Sequence, residues 1–545
     1  MSDFFCPSGV TFSVLTKTQK NKFYFLLKVI LRAFLRYDNM GIIDQDKNGI
    51  EVERNLFDRI LKYTGVFGSV QALSILVSLV LTKVKSVLLG PAGYGITESL
   101  NRTVDLVRNS TNLGVATVAV PEISHSAGDP GSGTLTEKVM LTRSWALLTA
   151  VLGMLICLML APLLSSWAFD GDKGYALNFI ILSLAVAAAA VTGGETAILR
   201  GTGMLRQIAL SQLLGGILSL CISVPLYWFF NIGGIVPALT LSALGSMAVT
   251  CFYSCRAFPY KACPFSWSFL KKGTGMVGFG IFLTIAAFMN AWAWSFVARY
   301  LMGQGGSELT GTYSAGYMLV TYLTTLLLSV TDSEYYPRLS AVSDDPAQAH
   351  AIMNNQALAM CMLAAPLVII FMVCIPILVF VVLEYDKFQL SISLAQMAVI
   401  GLFFKAVYQP IAYMVLARSD SKIYLLQETL CCILLIVCVL TGYTWGGIRG
   451  LGISFAVWEL SYLIIVVIVG RLRYGFVMSS KLVSNFLIQG LLVAMTAAGV
   501  LYGSVWGMVL CAVAGLASIL LSLRFFSRHT TLLPKIISRL FHVFS

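Results

Sequence analysis

Residues 88–112 read LLGPAGYGITESLNRTVDLVRNSTN, and the second half of that stretch decides what kind of protein this is. It stands among long apolar runs, yet it carries Glu98, Arg102, Asp105, Arg108, Asn109 and Asn112. At about 100° per residue, Glu98, Arg102, Asp105, Asn109 and Asn112 fall within about 80° of arc, so a 4-3-4-3 spacing makes one polar face of a helix, with Arg108 flanking it. Leu100, Val104, Val107 and Val118 point elsewhere. An arginine at the centre of a bilayer costs about 2.5–3.5 kcal/mol even on the gentler insertion scales. Such a face must look at water or at partners.

The surrounding chain makes the bilayer the solvent. Of 545 residues, 58% are hydrophobic and only 11% are charged, and the mean hydropathy is +0.83, whereas soluble domains carry about 25% charged residues. A water-soluble enzyme is excluded. A spanning helix needs about 20 apolar residues, and fourteen such stretches are predicted, at 63–82, 96–120, 144–164, 175–199, 207–230, 235–253, 276–300, 312–331, 356–383, 391–416, 423–443, 451–470, 486–502 and 505–523. The expected fold is an all-α polytopic membrane protein with about 14 transmembrane helices, grouped as two parallel six-helix bundles and a C-terminal helix pair. The segments are a basic amphipathic lead-in (1–62), a first bundle (63–255), a basic linker (256–275) with Arg256, Lys261, Lys271 and Lys272, a second bundle (276–475), and the extra pair with its tail (476–545).

The net charge of +12 invites a nucleic-acid reading, but the placement of the charges refutes it. With the chain divided at these spans, 28 of the 37 Lys and Arg residues fall on one side and 5 on the other. That asymmetry marks the cytoplasmic face and puts both termini there, with the surplus serving contact with anionic membrane lipids. Residues 22–36 (KFYFLLKVILRAFLR) are too charged to span and suit a helix lying in the headgroup plane. They are no secretory signal, lacking an uncharged core before a small-residue cleavage site.

The two groups of six spans look like copies. Leu88-Leu89-Gly90 answers Leu301-Met302-Gly303 at a shift of 213, Pro121-Glu122-Ile123-Ser124 answers Pro337-Arg338-Leu339-Ser340 at 216, and Gly233-Gly234 answers Gly446-Gly447 at 213. Asp129-Pro130 and Asp345-Pro346 repeat the shift of 216. Units with an even number of spans enter from the same side, which is the parallel-repeat transporter plan with a site between the halves near mid-membrane.

The charges inside spans are the candidates for chemistry. Arg102 and Lys405 are the strongest cations, Lys405 having no acidic residue within four positions of it; Arg299 and Lys83 lie toward outer span ends, where snorkelling is an equal explanation. Several cations facing a hydrated cavity suit a multiply charged anion such as a pyrophosphate headgroup or inorganic phosphate. An internal pairing of Arg102 with Glu98 or Asp105 that merely joins helices stays open. Glu428 and Glu459, inside spans, are candidates to relay coupling protons or to serve as hydrogen-bonded structural groups. Asp332 and Glu334 read as helix-end charges. Twelve cysteines without a CxxC pair read as small core hydrophobes, and His125, His350, His529 and His542 assemble no zinc site. Asp44-Gln45-Asp46-Lys47-Asn48-Gly49 opens like a calcium loop but has Asn55 where a bidentate Glu is needed. No phosphate-binding GxxxxGK[ST] and no nucleophile-base constellation is present, so no cofactor, metal or catalytic role is expected.

Five stretches resemble the Wzx-type flippases for lipid-linked oligosaccharides, in the superfamily that also holds MATE antiporters and lipid II flippases: 88–96 (LLGPAGYGI), 101–108, 336–340 (YPRLS), 405–417 (KAVYQPIAYMVLA) and 421–428 (SKIYLLQE). The likeness runs from about 63 to 475 and is nearest to the flippases of enterobacterial common antigen lipid III. It implies a substrate of undecaprenyl pyrophosphate bearing an O-antigen-like oligosaccharide, moved outward across the bacterial inner membrane, with a polysaccharide polymerase and chain-length machinery as partners. By that resemblance Arg102 and Lys405 match cationic cavity positions, Arg299 and Lys83 less closely. The lead-in and the last helix pair depart from the usual twelve-span pattern. Two other classes compete: a MATE-like antiporter, whose cavity would be acidic, and a membrane polysaccharide polymerase, which needs a long outer loop where the longest one predicted is only 83–95.

Overall fold

The computed structural model describes residues 52–127, 134–259, 274–330, 335–340, 342–418 and 420–529. The chain divides into two compact units, Met1–Ser69 and Val70–Ser545, and the second contains the polar face at 98–112. The headgroup-plane helix at 22–36, residues 44–51 of the calcium-like loop, Lys261, Lys271, Lys272, Asp129-Pro130, Asp332, Glu334 and His542 lie outside the described residues.

Helix follows helix, with no strand among the described residues. In chain order these are α1 (Val52–Thr111), α2 (Val115–Ala127), α3 (Thr134–Met159), α4 (Ala161–Ala168), α5 (Ala176–Gly201), α6 (Leu205–Phe230), α7 (Ile235–Ala257), α8 (Thr274–Val330), α9 (Tyr336–Ser340), α10 (Pro346–Val382), α11 (Tyr385–Ala398), α12 (Ile400–Ala417), α13 (Ser421–Tyr474), α14 (Ser480–Tyr502) and α15 (Val505–His529). Among the described residues ten segments are long and apolar enough to cross a membrane, so this is a multi-pass membrane protein.

Six of those segments are longer than one crossing needs, and four of them, Leu73–Thr111, Arg206–Ala257, Ile281–Leu328 and Ser421–Tyr474, contain a sharp break. The longest, Ser421–Tyr474, has 54 residues, about 80 Å of helix against an apolar core of about 30 Å. The breaks lie at Gly90, at Asn231, at Gly305-Gly306 and at Gly446-Gly447. Each break also turns the chain back on itself. Thr82 Oγ1 and Tyr94 Oη, twelve residues apart, both reach the Sδ of Met318, at 3.3 and 3.0 Å. Ser223 and Ser242 hydroxyls lie 3.4 Å apart across the second break, the Trp294 and Tyr317 rings are 5.0 Å apart across the third, and Trp458 Nε1 donates to the Cys431 carbonyl at 3.0 Å across the fourth. The expected outer connection at 83–95 is therefore helical apart from one residue. Gly90, at φ 64°, reverses the chain in a single step, and Pro91 starts the next arm where its missing N–H costs nothing.

The breaks also correct the repeat. Gly90 (φ 64, ψ −172) matches Gly306 (φ 67, ψ −163), and Asn231 (φ 50, ψ −125) matches Gly447 (φ 55, ψ −136), each pair 216 residues apart. The shift is thus 216 throughout; a shift of 213 at the other two glycine anchors aligns neighbouring glycines three residues early. The two copies touch backbone to backbone at a crossing of their matched arms. A Cβ placed on Gly95 would stand 1.9 Å from the Ser307 carbonyl oxygen, and one on Gly311 would stand 1.8 Å from that of Pro91. Gly95 and Gly311, and Pro91 and Ser307, are again 216 apart, so the contact is its own two-fold image. Small residues that let backbones touch are a main source of helix association in lipid, where apolar burial drives nothing.

Two other polar devices hold the frame. In the first repeat, Arg143 of α3 and Glu195 of α5, each 2% exposed, pair through Nε–Oε1 at 2.9 Å and Nη2–Oε2 at 3.1 Å; Arg143 also donates to the Phe258 carbonyl just past α7. The last helix pair is fastened to α10 through Gln489: Ser518 donates to its Oε1, its Nε2 donates to Ser522, and Ser522 donates to the Met362 carbonyl. Phe486 of α14 stacks on Phe403 of α12 at 5.3 Å.

This packing can be tested at two points. Gly95→Ala and Gly311→Ala are expected to abolish folded, monodisperse protein in detergent, whereas Gly233→Ala, whose Cβ would meet nothing within 4 Å, leaves size-exclusion behaviour unchanged. Removing one partner of the buried pair, by Arg143→Ala or Glu195→Ala, is expected to cost about 3–5 kcal/mol of stability, while the apolar double variant Arg143→Met/Glu195→Leu recovers most of it in unfolding measurements.

Candidate functional site

The polar face of α1 lies on the arm after Gly90, immediately beyond the glycine crossing. It walls a cavity of about 380 Å³ together with α5 and α7, whose lining includes Glu98, Asn101, Arg102, Asp105 and Arg108 against Leu182, Ala185, Ala189, Leu239 and Ala243. A second cavity of about 360 Å³ shares Arg108, Ala189 and Ala243 and runs on past Thr192 and Thr196 to Arg200 and Ser246. The space comes from the alanine run of α5, since small side chains opposite long ones leave a void that polar groups keep wet.

The predicted pairing exists, and it does not close the site. Arg102 Nε donates to Glu98 Oε1 at 2.7 Å and Arg108 Nη2 lies 3.0 Å from Asp105 Oδ1, with the four side chains between 22% and 42% exposed. Pairs of this kind one helical turn apart are worth about 0.3–0.5 kcal/mol, whereas a charge-assisted bond to a phosphate oxygen is worth about 1.5–3 kcal/mol. Each carboxylate thus offsets the charge of its arginine inside the bilayer without burying it. Arg102 also spans the two repeats, because its Cζ sits 5.3 Å over the Trp294 ring of α8, and Trp294 packs at 5.0 Å on Tyr317 and 6.0 Å on Phe455.

The remaining predicted residues are dispersed. Asn109 is half-buried one turn past Asp105, and Asn112, also half-buried, ends the arm, its carbonyl accepting from Val115 N at 3.1 Å around the turn into α2. Lys405 of α12 has a partner that sequence distance hides: Glu459 of α13, whose Oε1 is 3.6 Å from Nζ and whose Oε2 accepts from Tyr408 Oη at 2.6 Å. Glu428, half-buried on the other arm of α13, lies within reach of the Lys405 charge. Arg299 stacks over Trp167 of α4 at 4.4 Å, and that indole donates to Ser295 Oγ at 3.0 Å, so Arg299 joins the repeats. Lys83 donates to the carbonyls of Leu383 and Phe380, the negative end of the α10 dipole. Asn101 and Arg200 line the cavities and are not among the predicted residues; Asn101 sits off the 80° arc, and Arg200 lies beyond the span end.

The family described as polysaccharide biosynthesis protein matches residues 84–387, more than half of the chain. No curated protein sequence matches it. Among solved structures, the lipid II flippase MurJ in an inward closed conformation superposes with a TM-score of 0.60 at 14% identity, over 85% of this chain and 99% of MurJ. The MATE multidrug transporter DinF-BH gives 0.56 at 16%, over 80% and 99%, and the Vibrio cholerae MATE transporter VcmN in the bent form gives 0.54 at 15%, over 79% and 98%. At such identities the likeness is one of fold. The chain belongs to the polysaccharide biosynthesis protein family and has the helical transporter fold common to MurJ and the MATE proteins.

Proposed function

We propose that the protein is a flippase that carries an undecaprenyl-pyrophosphate-linked oligosaccharide, an O-antigen or similar repeat unit, from the cytoplasmic to the outer leaflet of the bacterial inner membrane. One observation carries the reading: a polar cavity of about 380 Å³ walled by Arg102 and Arg108 on a membrane-spanning helix. The family match and the fold held in common with a lipid II flippase support it.

In this reading the four chain reversals divide the ten long segments into fourteen crossings, grouped as two six-helix bundles about an axis along the membrane normal, with both termini cytoplasmic and the last pair outside the repeat. The bundles rock about the cleft in alternating access. The pyrophosphate docks on Arg102 and Arg108, its displacement of Glu98 and Asp105 keeping the hold moderate enough for release, while the polyprenyl tail stays in lipid. Lys405 is the next cation available to the anion once it parts from Glu459. Glu459, with Glu428 near it, is the carboxylate placed to take up a coupling proton when Lys405 leaves. A small-cation antiporter finds less support, because Glu98, Asp105 and Glu459 each already hold a cation.

Arg102→Ala, Arg108→Ala and Lys405→Ala are each expected to lower surface polysaccharide at least about tenfold, by analogy with the loss of a charge-assisted contact to a phosphate, with membrane insertion and protein level unchanged by immunoblot. Wild-type surface polysaccharide in all three variants would rule out the anion site.

A further inference from the structure

The shift of 216 carries the residues that line the cavity of the first repeat onto residues of the second. Asn101 becomes Tyr317, Arg102 becomes Met318, Asp105 becomes Thr321 and Arg108 becomes Thr324; on the facing helices Ala189 becomes Lys405 and Ala243 becomes Glu459. The second wall has therefore lost both arginines, and the cation it does hold is matched by its own carboxylate at 3.6 Å. Two walls related by the same crossing thus differ: the α1 face carries two arginine–carboxylate pairs, whereas the matching face of α8 is uncharged.

The neutral wall is built to accept hydrogen bonds. Tyr317, Thr321 and Thr324 lie within about 60° on one face of the second arm of α8, and the exposed Leu326 lies on the opposite face. Thr321 Oγ1 donates to the Tyr317 carbonyl at 3.0 Å and Thr324 Oγ1 to that of Val320 at 2.8 Å. Their protons are committed to the helix, so what they present outward is lone pairs. Lone pairs repel a phosphate oxygen and attract a donor hydroxyl. At the head of this face Tyr317 is half-buried and fixed by its packing on Trp294 and Phe455, close to Arg102.

We propose that the repeats divide the substrate: Arg102 and Arg108 hold the pyrophosphate, and Tyr317, Thr321 and Thr324 read the sugars attached to it. The division rests on the flippase reading above and names its specificity-determining residues.

The test titrates the full-length protein in lipid nanodiscs with undecaprenyl pyrophosphate and with undecaprenyl-pyrophosphoryl N-acetylglucosamine. The wild type is expected to bind the sugar-bearing lipid about fivefold more tightly than the bare carrier, and the isosteric Thr321→Val/Thr324→Val variant to bring that ratio to about one. Thr321→Ser/Thr324→Ser keeps the ratio, and Arg102→Ala weakens both lipids together. A wild-type ratio near one, a valine variant with the wild-type ratio, or a serine variant that loses it overturns the division and leaves the flippase reading standing. Failure of the wild type to bind either lipid overturns both.

Discussion

Among the described residues, the site depends on a place where the backbones of the two repeats touch. Gly95 lies on the Ser307 carbonyl and Gly311 on that of Pro91, with no room for even a methyl group at either site. Because the contact is backbone on backbone, it sets the separation of the two repeats independently of the side chains around it. From there the second arms of α1 and α8 carry the charged wall and the neutral wall respectively. The same two arms reach across at matched positions: Arg102 to Trp294 of the second repeat, and Met318 to Thr82 and Tyr94 of the first.

The bilayer explains how the charges are kept. Arg102, Arg108, Lys405, Arg299 and Lys83 each have something to share their charge with, be it a carboxylate one turn away, a carboxylate from another helix, an aromatic face or the carbonyl end of a helix. These arrangements differ in what they permit. The pairs on α1 are partly exposed and one helical turn apart, whereas Arg143 and Glu195 are locked by two direct contacts and a further backbone carbonyl.

Much of this architecture is legible in the sequence. The apolar runs locate the long helices because length and hydropathy are local properties, and the polar face of α1 follows from spacing alone. Features that depend on other helices are not legible. Lys405 looks unpaired in sequence because Glu459 is 54 residues away, and Glu195 carries no signal because its arginine comes from α3. The repeat is visible but out of register at two anchors, since Gly303 offers itself three residues before Gly306 and only backbone dihedrals tell them apart. The reversal at Gly90 reads as a longer loop because a turn made in one residue leaves no polar stretch behind. The cavity itself has a signal that spacing rules overlook, the alanines of α5 that stand back from the arginines.

The final helix pair has a consequence of its own. Gln489 and Phe486 bind it to α10 and α12, both in the second repeat. In the rocking motion proposed above, the pair would travel as a passenger of one half, and that half would present a broader flank to the acyl chains. The stroke is then lopsided: the slimmer half swings while the encumbered one is held back by the lipid it must drag, so membrane thickness and viscosity would govern the turnover of this transporter more strongly than that of a twelve-helix relative.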